Sequence, residues 1–66
     1  MTRVNLKGQE VKKYYYIWNA WLMQNVLVPG EPRPWAWLLA ETQGHFDAIL
    51  FQNEEDATAF KIKFVL

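Results

Sequence analysis

The sequence predicts a small α+β domain of ferredoxin-like topology: strand, helix, strand, strand, helix, strand, with two helices on one face of a four-stranded antiparallel sheet. Three observations carry that expectation. Residues 10–26 place apolar side chains at helical spacing. Residues 35–52 form two apolar runs about a glycine. Residues 53–66 open on a helix-start signal and close on an alternation of period two.

The elements follow in order. TRVNL at 2–6 alternates Val4 and Leu6 against Arg3 and Asn5, which fits a short strand with one buried face, ended by Gly8. Over 10–26, Val11, Tyr14, Tyr15, Trp18, Trp21, Leu22 and Val26 gather on one wide stripe of a helix. Tyr16, Ala20 and Met23 make a second, smaller stripe among polar residues. A strand at 13–18 is the rival, since Tyr, Ile and Trp favour strands. The helix formers Ala20, Leu22, Met23 and Gln24 and the continuity of the stripe decide for helix. VPGEPRPW at 28–35 then forbids helix and favours an extended loop.

In WAWLLAETQGHFDAILFQ, Gln43-Gly44 reads as a two-residue hairpin turn, glycine supplying positive φ. That turn sets Thr42 opposite His45 and Trp35 opposite Gln52. One face then carries Trp35, Trp37, Leu39, Phe46, Ala48 and Leu50, and the other Ala36, Leu38, Ala40, Ile49 and Phe51. Both faces read as apolar, whereas a hairpin with one wet face should alternate apolar with polar. At 53–60, Asn53 serves as helix N-cap, with Asp56 three residues on and Glu54, Glu55 and Asp56 filling the first turn, where the helix dipole favours acids. Beyond Phe60, Ile62 would point away from Phe60 and Phe64 on a helix. A terminal strand at about 60–66 puts Phe60, Ile62, Phe64 and Leu66 on one face, with Lys61 and Lys63 outward.

Size and composition bound the function. Sixty-six residues make one domain, 1–66, with no cysteine for a disulfide or thiolate site. Cores this small seldom supply more than about 3–5 kcal/mol without a staple. Aromatic bulk compensates: four Trp, three Tyr and four Phe, more than a one-sided core should need, so part of it is expected to meet a partner. Net charge is zero, but Arg3, Lys7, Lys12, Lys13 and Arg33 outweigh Glu10 and Glu31 in the first half, while Glu41, Asp47, Glu54, Glu55 and Asp56 outweigh Lys61 and Lys63 in the second. A dipolar chain can associate with itself; ordinary surface charge is the plainer reading. No apolar run reaches membrane-spanning length and no secretory h-region opens the chain, so a cytoplasmic protein without membrane association is expected.

The residues argue against an enzyme. The acid run is helix-start chemistry, His45 has no second strong ligand or nucleophile at a recognisable spacing, and there is no serine, phosphate-cradling loop or dinucleotide fingerprint. No cofactor and no metal is expected. A nucleic-acid module is an alternative, resting on Lys12, Lys13 and Tyr14 to Tyr16 and on Trp35 and Trp37 as a stacking platform on an open sheet face. Protein contact is the leading reading, because exposed Trp and Tyr are enriched at interface hot spots. The candidate contact residues are Trp35, Trp37, Tyr16 and Met23. If the Trp-rich hairpin face is core, Leu38, Ile49 and Phe51 take their place on the open face.

The C-terminal pattern F-x-N-E-E-D-A-x-A-F-K-I-K-F, from Phe51 to Phe64, resembles the tail of small accessory proteins of tailed bacteriophages. The resemblance covers about a third of the chain, and the terminal Val65-Leu66 departs from the glycine that ends many such tails. It implies an origin, an accessory phage product acting in an infected bacterium. The expected partner is a host protein or a second copy of the chain as a homodimer, with a virion or assembly component as a further alternative. It carries over no binding or catalytic residue.

Overall fold

In the computed structural model, which describes residues 1–6, 9–41 and 44–64, the chain forms β1 (Thr2–Asn5), α1 (Val11–Asn25), β2 (Trp35–Leu39), β3 (Phe46–Phe51) and α2 (Glu54–Phe64). The sheet has three strands in the order β1-β3-β2, both pairings antiparallel. The expected four-stranded ferredoxin-like sheet is therefore corrected to three strands. The terminal strand is absent over 60–64, which continue α2; Val65 and Leu66 lie outside the described residues.

The reason lies in a spacing of four. Phe60 and Phe64 share a face on a strand, and they also share one on a helix. Only Ile62 separates the two readings, and the helix leaves it 73% exposed. In return Ala57, Phe60 and Phe64 line one inward stripe. The start signal at Asn53 holds. Its carbonyl accepts the Ala57 N–H at 3.3 Å, and its side-chain amide donates to the Asp56 carboxylate at 3.3 Å.

α1 forms as its wide stripe requires, with Trp18 and Leu22 buried and Val11, Tyr14, Tyr15 and Trp21 packed partly against the core. No side chain caps its start. The hairpin does so instead, the Gly44 carbonyl accepting the Val11 N–H at 2.8 Å. Its end is closed by Val26, whose N–H returns to the Leu22 carbonyl at 2.9 Å. Val28-Pro29-Gly30-Glu31 then reverses the chain: Glu31 N–H donates to the Val28 carbonyl at 3.1 Å, and Gly30 sits at φ 86°. Proline second and a positive-φ glycine third is the pattern of a type II turn.

Both helices pack on the same side of the sheet. Trp18 is the hub, with its ring centroid 5.0 Å from Tyr14, 6.3 Å from Trp37, 5.2 Å from Phe46, 5.8 Å from Phe60 and 6.2 Å from Phe64. Phe60 also meets Phe51 and Trp21. One aromatic cluster thus ties α1, α2, β2 and β3 together, and Val4 and Leu6 extend it under β1.

The hairpin register differs from expectation. Trp35 opposes Phe51 rather than Gln52, and a bulge between Leu38 and Leu39 shifts the pairing so that Leu39 opposes Phe46. Thr42 and Gln43 lie outside the described residues; beside them, Ala40 N–H donates to the His45 carbonyl at 3.0 Å, whereas a two-residue Gln43-Gly44 turn would set Ala40 opposite Asp47. A slip of one residue exchanges the faces of a strand. Ile49 and Phe51 consequently join Trp35 and Trp37 beneath the helices, and the bulge returns Phe46 to that side as well. The helix-free face keeps Ala36, Leu38, Ala48 and Leu50, with Arg3 and Asn5 from β1. It is far less apolar than the sequence suggested.

Candidate interaction surface

The residues singled out from sequence divide into buried and exposed sets. Ile49 and Phe51 are fully buried and Trp35 nearly so, all three in the core cluster. They hold the domain together and present no surface to a partner, which corrects their assignment to a contact face. Trp37 is half-buried against Tyr15, Trp18 and Phe46. Leu38 is half-buried on the helix-free face. Tyr16 and Met23 point outward from α1, 78% and 40% exposed, as the second helical stripe required.

Among the described residues, Met1, Ile17, Val28, Leu39 and Ile62 are also exposed apolar side chains that sequence reasoning did not place on a contact surface. Ile17 escapes both stripes of α1, and helical counting alone places it away from Trp18 and Leu22. Leu39 closes β2 beyond the bulge, which sequence does not reveal. Ile62 is the residue α2 sacrifices.

On the helix-free face, Arg3 reaches from β1 to the neighbouring strand β3. Its guanidinium donates to the Asp47 carboxylate at 2.8 Å and to the Asn5 side-chain oxygen at 2.9 Å. Ala48, completely covered yet outside the core cluster, lies between those anchors in register with Asn5. Asp47 is thereby engaged by Arg3 across the sheet. None of the described strand residues on this face is aromatic, so the stacking platform expected of Trp35 and Trp37 is turned inward.

The free edge of β2 has a different character. Gln52 N–H donates to the Pro34 carbonyl at 3.0 Å, which makes Pro34 and Gln52 a hydrogen-bonded pair. Alternation along an antiparallel ladder then directs the main-chain groups of Ala36 and Leu38 to β3, and those of Trp35, Trp37 and Leu39 to the outside. No strand lies beyond β2 among the described residues. The edge WAWLL carries no charge. By the same reasoning, the Leu6 N–H bond to the Asp47 carbonyl turns Arg3 and Asn5 outward on β1, a shorter edge bearing a cation.

α1 lies above β2, since Tyr15 and Trp18 reach Trp37. Its flank away from α2 carries Tyr15, Tyr16, Asn19 and Met23, while Trp21 faces Phe60 and Phe64. Two buried polar atoms without hydrogen-bond partners sit in this region: Asn19 Oδ1 on that flank and Trp37 Nε1 beneath it. Buried polar atoms are nearly always paired, and no described protein atom pairs these two.

At the opposite end of α1, Val26, Val28, Glu31, Pro32, Pro34, Gln52 and Asn53 line a cleft of about 190 Å3. No group of three or more His, Cys, Asp or Glu that could hold a metal ion occurs among the described residues, and no helix is long and apolar enough to cross a membrane. The fold and surface define a small two-layer α+β domain with one uncharged strand edge beneath an aromatic-bearing helix. No protein-family model, curated protein or solved structure matches the chain.

Proposed function

We propose that this is a non-enzymatic binding module whose partner is a protein, engaged along the α1 flank and the β2 edge. One observation carries the reading: a free, uncharged β2 edge runs beneath a helix flank that exposes Tyr16 and Met23. Main-chain groups on such an edge bond any extended chain, and side chains above it supply selectivity. Tyr and Met are among the residue types enriched in interface centres. The C-terminal likeness to phage accessory proteins supports an infected bacterium as the setting, and within this reading the partner is a host protein or a second copy.

The aromatic rings favour protein over nucleic acid. A single-strand binder needs rings on an open, basic platform, whereas here the helix-free face bears Arg3 beside Asp47 and no ring among its described strand residues.

The double variant Tyr16→Glu with Met23→Glu tests the reading. Both side chains are exposed, so the far-ultraviolet circular dichroism and the unfolding midpoint should stay near those of the parent. Association, whether with itself in sedimentation or with a protein retained from bacterial lysate, should be lost. Unchanged association in both measurements, with the fold intact, overturns the proposal.

A further inference from the structure

Resting on the reading of β2 as the binding edge, we infer that its occupant is a second copy of the chain, paired antiparallel through β2 about a two-fold axis at Trp37. The outward main-chain groups are those of Trp35, Trp37 and Leu39. An antiparallel pairing of this set with itself has one centred solution. Trp37 bonds Trp37 of the second copy, and Trp35 and Leu39 bond each other's counterparts.

The same register makes an independent demand on charge. Arg33 lies four residues before Trp37 and Glu41 four residues after it. Antiparallel pairing centred on Trp37, followed two residues past each end of Trp35–Leu39, brings Arg33 of each copy toward Glu41 of the other, twice by symmetry. Both residues are exposed. A foreign extended segment has no reason to match these two charges, whereas a second copy carries both; Arg33, over the Trp35 ring at 5.9 Å in the single chain, turns from that ring to its new partner. No like charges oppose each other across the strand pair, because β2 has none.

Packing agrees. Leu39, 65% exposed in the single chain, comes beside Trp35 of the second copy as a cross-strand pair. The two-fold stands perpendicular to the continuous six-stranded sheet, so both helix layers fall on one side of it. The α1 flanks bearing Tyr16, Asn19 and Met23 then face each other antiparallel. Asn19 is adjacent to Trp18, the midpoint of Val11–Asn25, so the two Asn19 amides approach the axis together, and each can donate to the other's unpaired oxygen. The β1 edge is the poorer candidate, being shorter and crossed by the Arg3–Asp47 ion pair.

Sedimentation of the purified chain from micromolar to millimolar concentration tests this, with the single charge reversals Arg33→Glu and Glu41→Arg and their combination. The parent should pass from monomer to dimer. Each reversal should weaken the dimer about tenfold, since it replaces two attractions by two repulsions, and the combined variant should return to near the parent. Leu39→Pro removes an outward N–H and leaves the β3 ladder alone, so it should give a folded monomer. A parent that stays monomeric at every concentration overturns the inference, as does a dimer indifferent to both reversals or one not restored by combining them. If the monomeric parent still retains a bacterial protein that the Tyr16→Glu, Met23→Glu variant loses, self-pairing is refuted while the binding function stands. If it retains none, both fall.

Discussion

Ile62→Lys distinguishes the helical C-terminus from a terminal strand by its effect on stability. On the helix Ile62 is 73% exposed, so only about a quarter of its side chain is covered. Full burial of an isoleucine is worth about 1.5–3 kcal/mol, which leaves roughly 0.4–0.8 kcal/mol at stake here, and the lysine stem recovers part of it by lying along the same surface. Against that loss, lysine is the better helix former by a few tenths of a kcal/mol. A cation in the last turn also gains about 0.3–1 kcal/mol from the helix dipole at low salt. The terms cancel to within about 0.5 kcal/mol. On a terminal strand the same side chain would be core, and placing an ammonium there would cost at least about 2 kcal/mol. Urea denaturation followed by tryptophan fluorescence reads the difference directly. With a slope near 1 kcal/mol/M for so small a domain, the helix predicts a midpoint within about 0.5 M of the parent. A fall of about 2 M or more, or loss of the folded baseline, would refute the helical assignment of residues 60–64.

Two further perturbations probe the frame. Gly44→Ala meets no atom within 4 Å of the added carbon, so its cost is purely the backbone at φ 85°, about 1–2 kcal/mol, read as a lowered urea midpoint with an unchanged slope. Trp18→Ala removes the ring that five others surround and should cost about 3–5 kcal/mol, enough to unfold most of the population at room temperature by near-ultraviolet circular dichroism.

The sequence alone specified the local elements. The wide stripe from Val11 to Val26 made a helix because seven apolar residues at 3.6-residue spacing leave few other ways to bury them together. Asn53 followed by Glu54, Glu55 and Asp56 marked the start of α2, because the positive end of the helix dipole favours acids in the first turn. The outward stripe of Tyr16 and Met23 was legible for the same reason, since a helix fixes both of its faces at once. Those signals are local, and local chemistry suffices to read them.

What only the tertiary structure decided was which face of each strand is buried and how many strands there are. Phe60 and Phe64, four apart, satisfy both periods, so the choice fell to the packing of Phe60 against Trp18, Trp21 and Phe51, partners distant in the chain. The hairpin register depended on a bulge beside Asp47, which no residue of the hairpin announces and which admits Phe46, Ile49 and Phe51 to one core. A strand alternates with period two, so a single inserted residue exchanges inside and outside. The burial that favours one insertion over another is summed over the whole domain. That sum moved Ile49 and Phe51 from candidate surface to core, and left β2, like β1, as a sheet edge among the described residues.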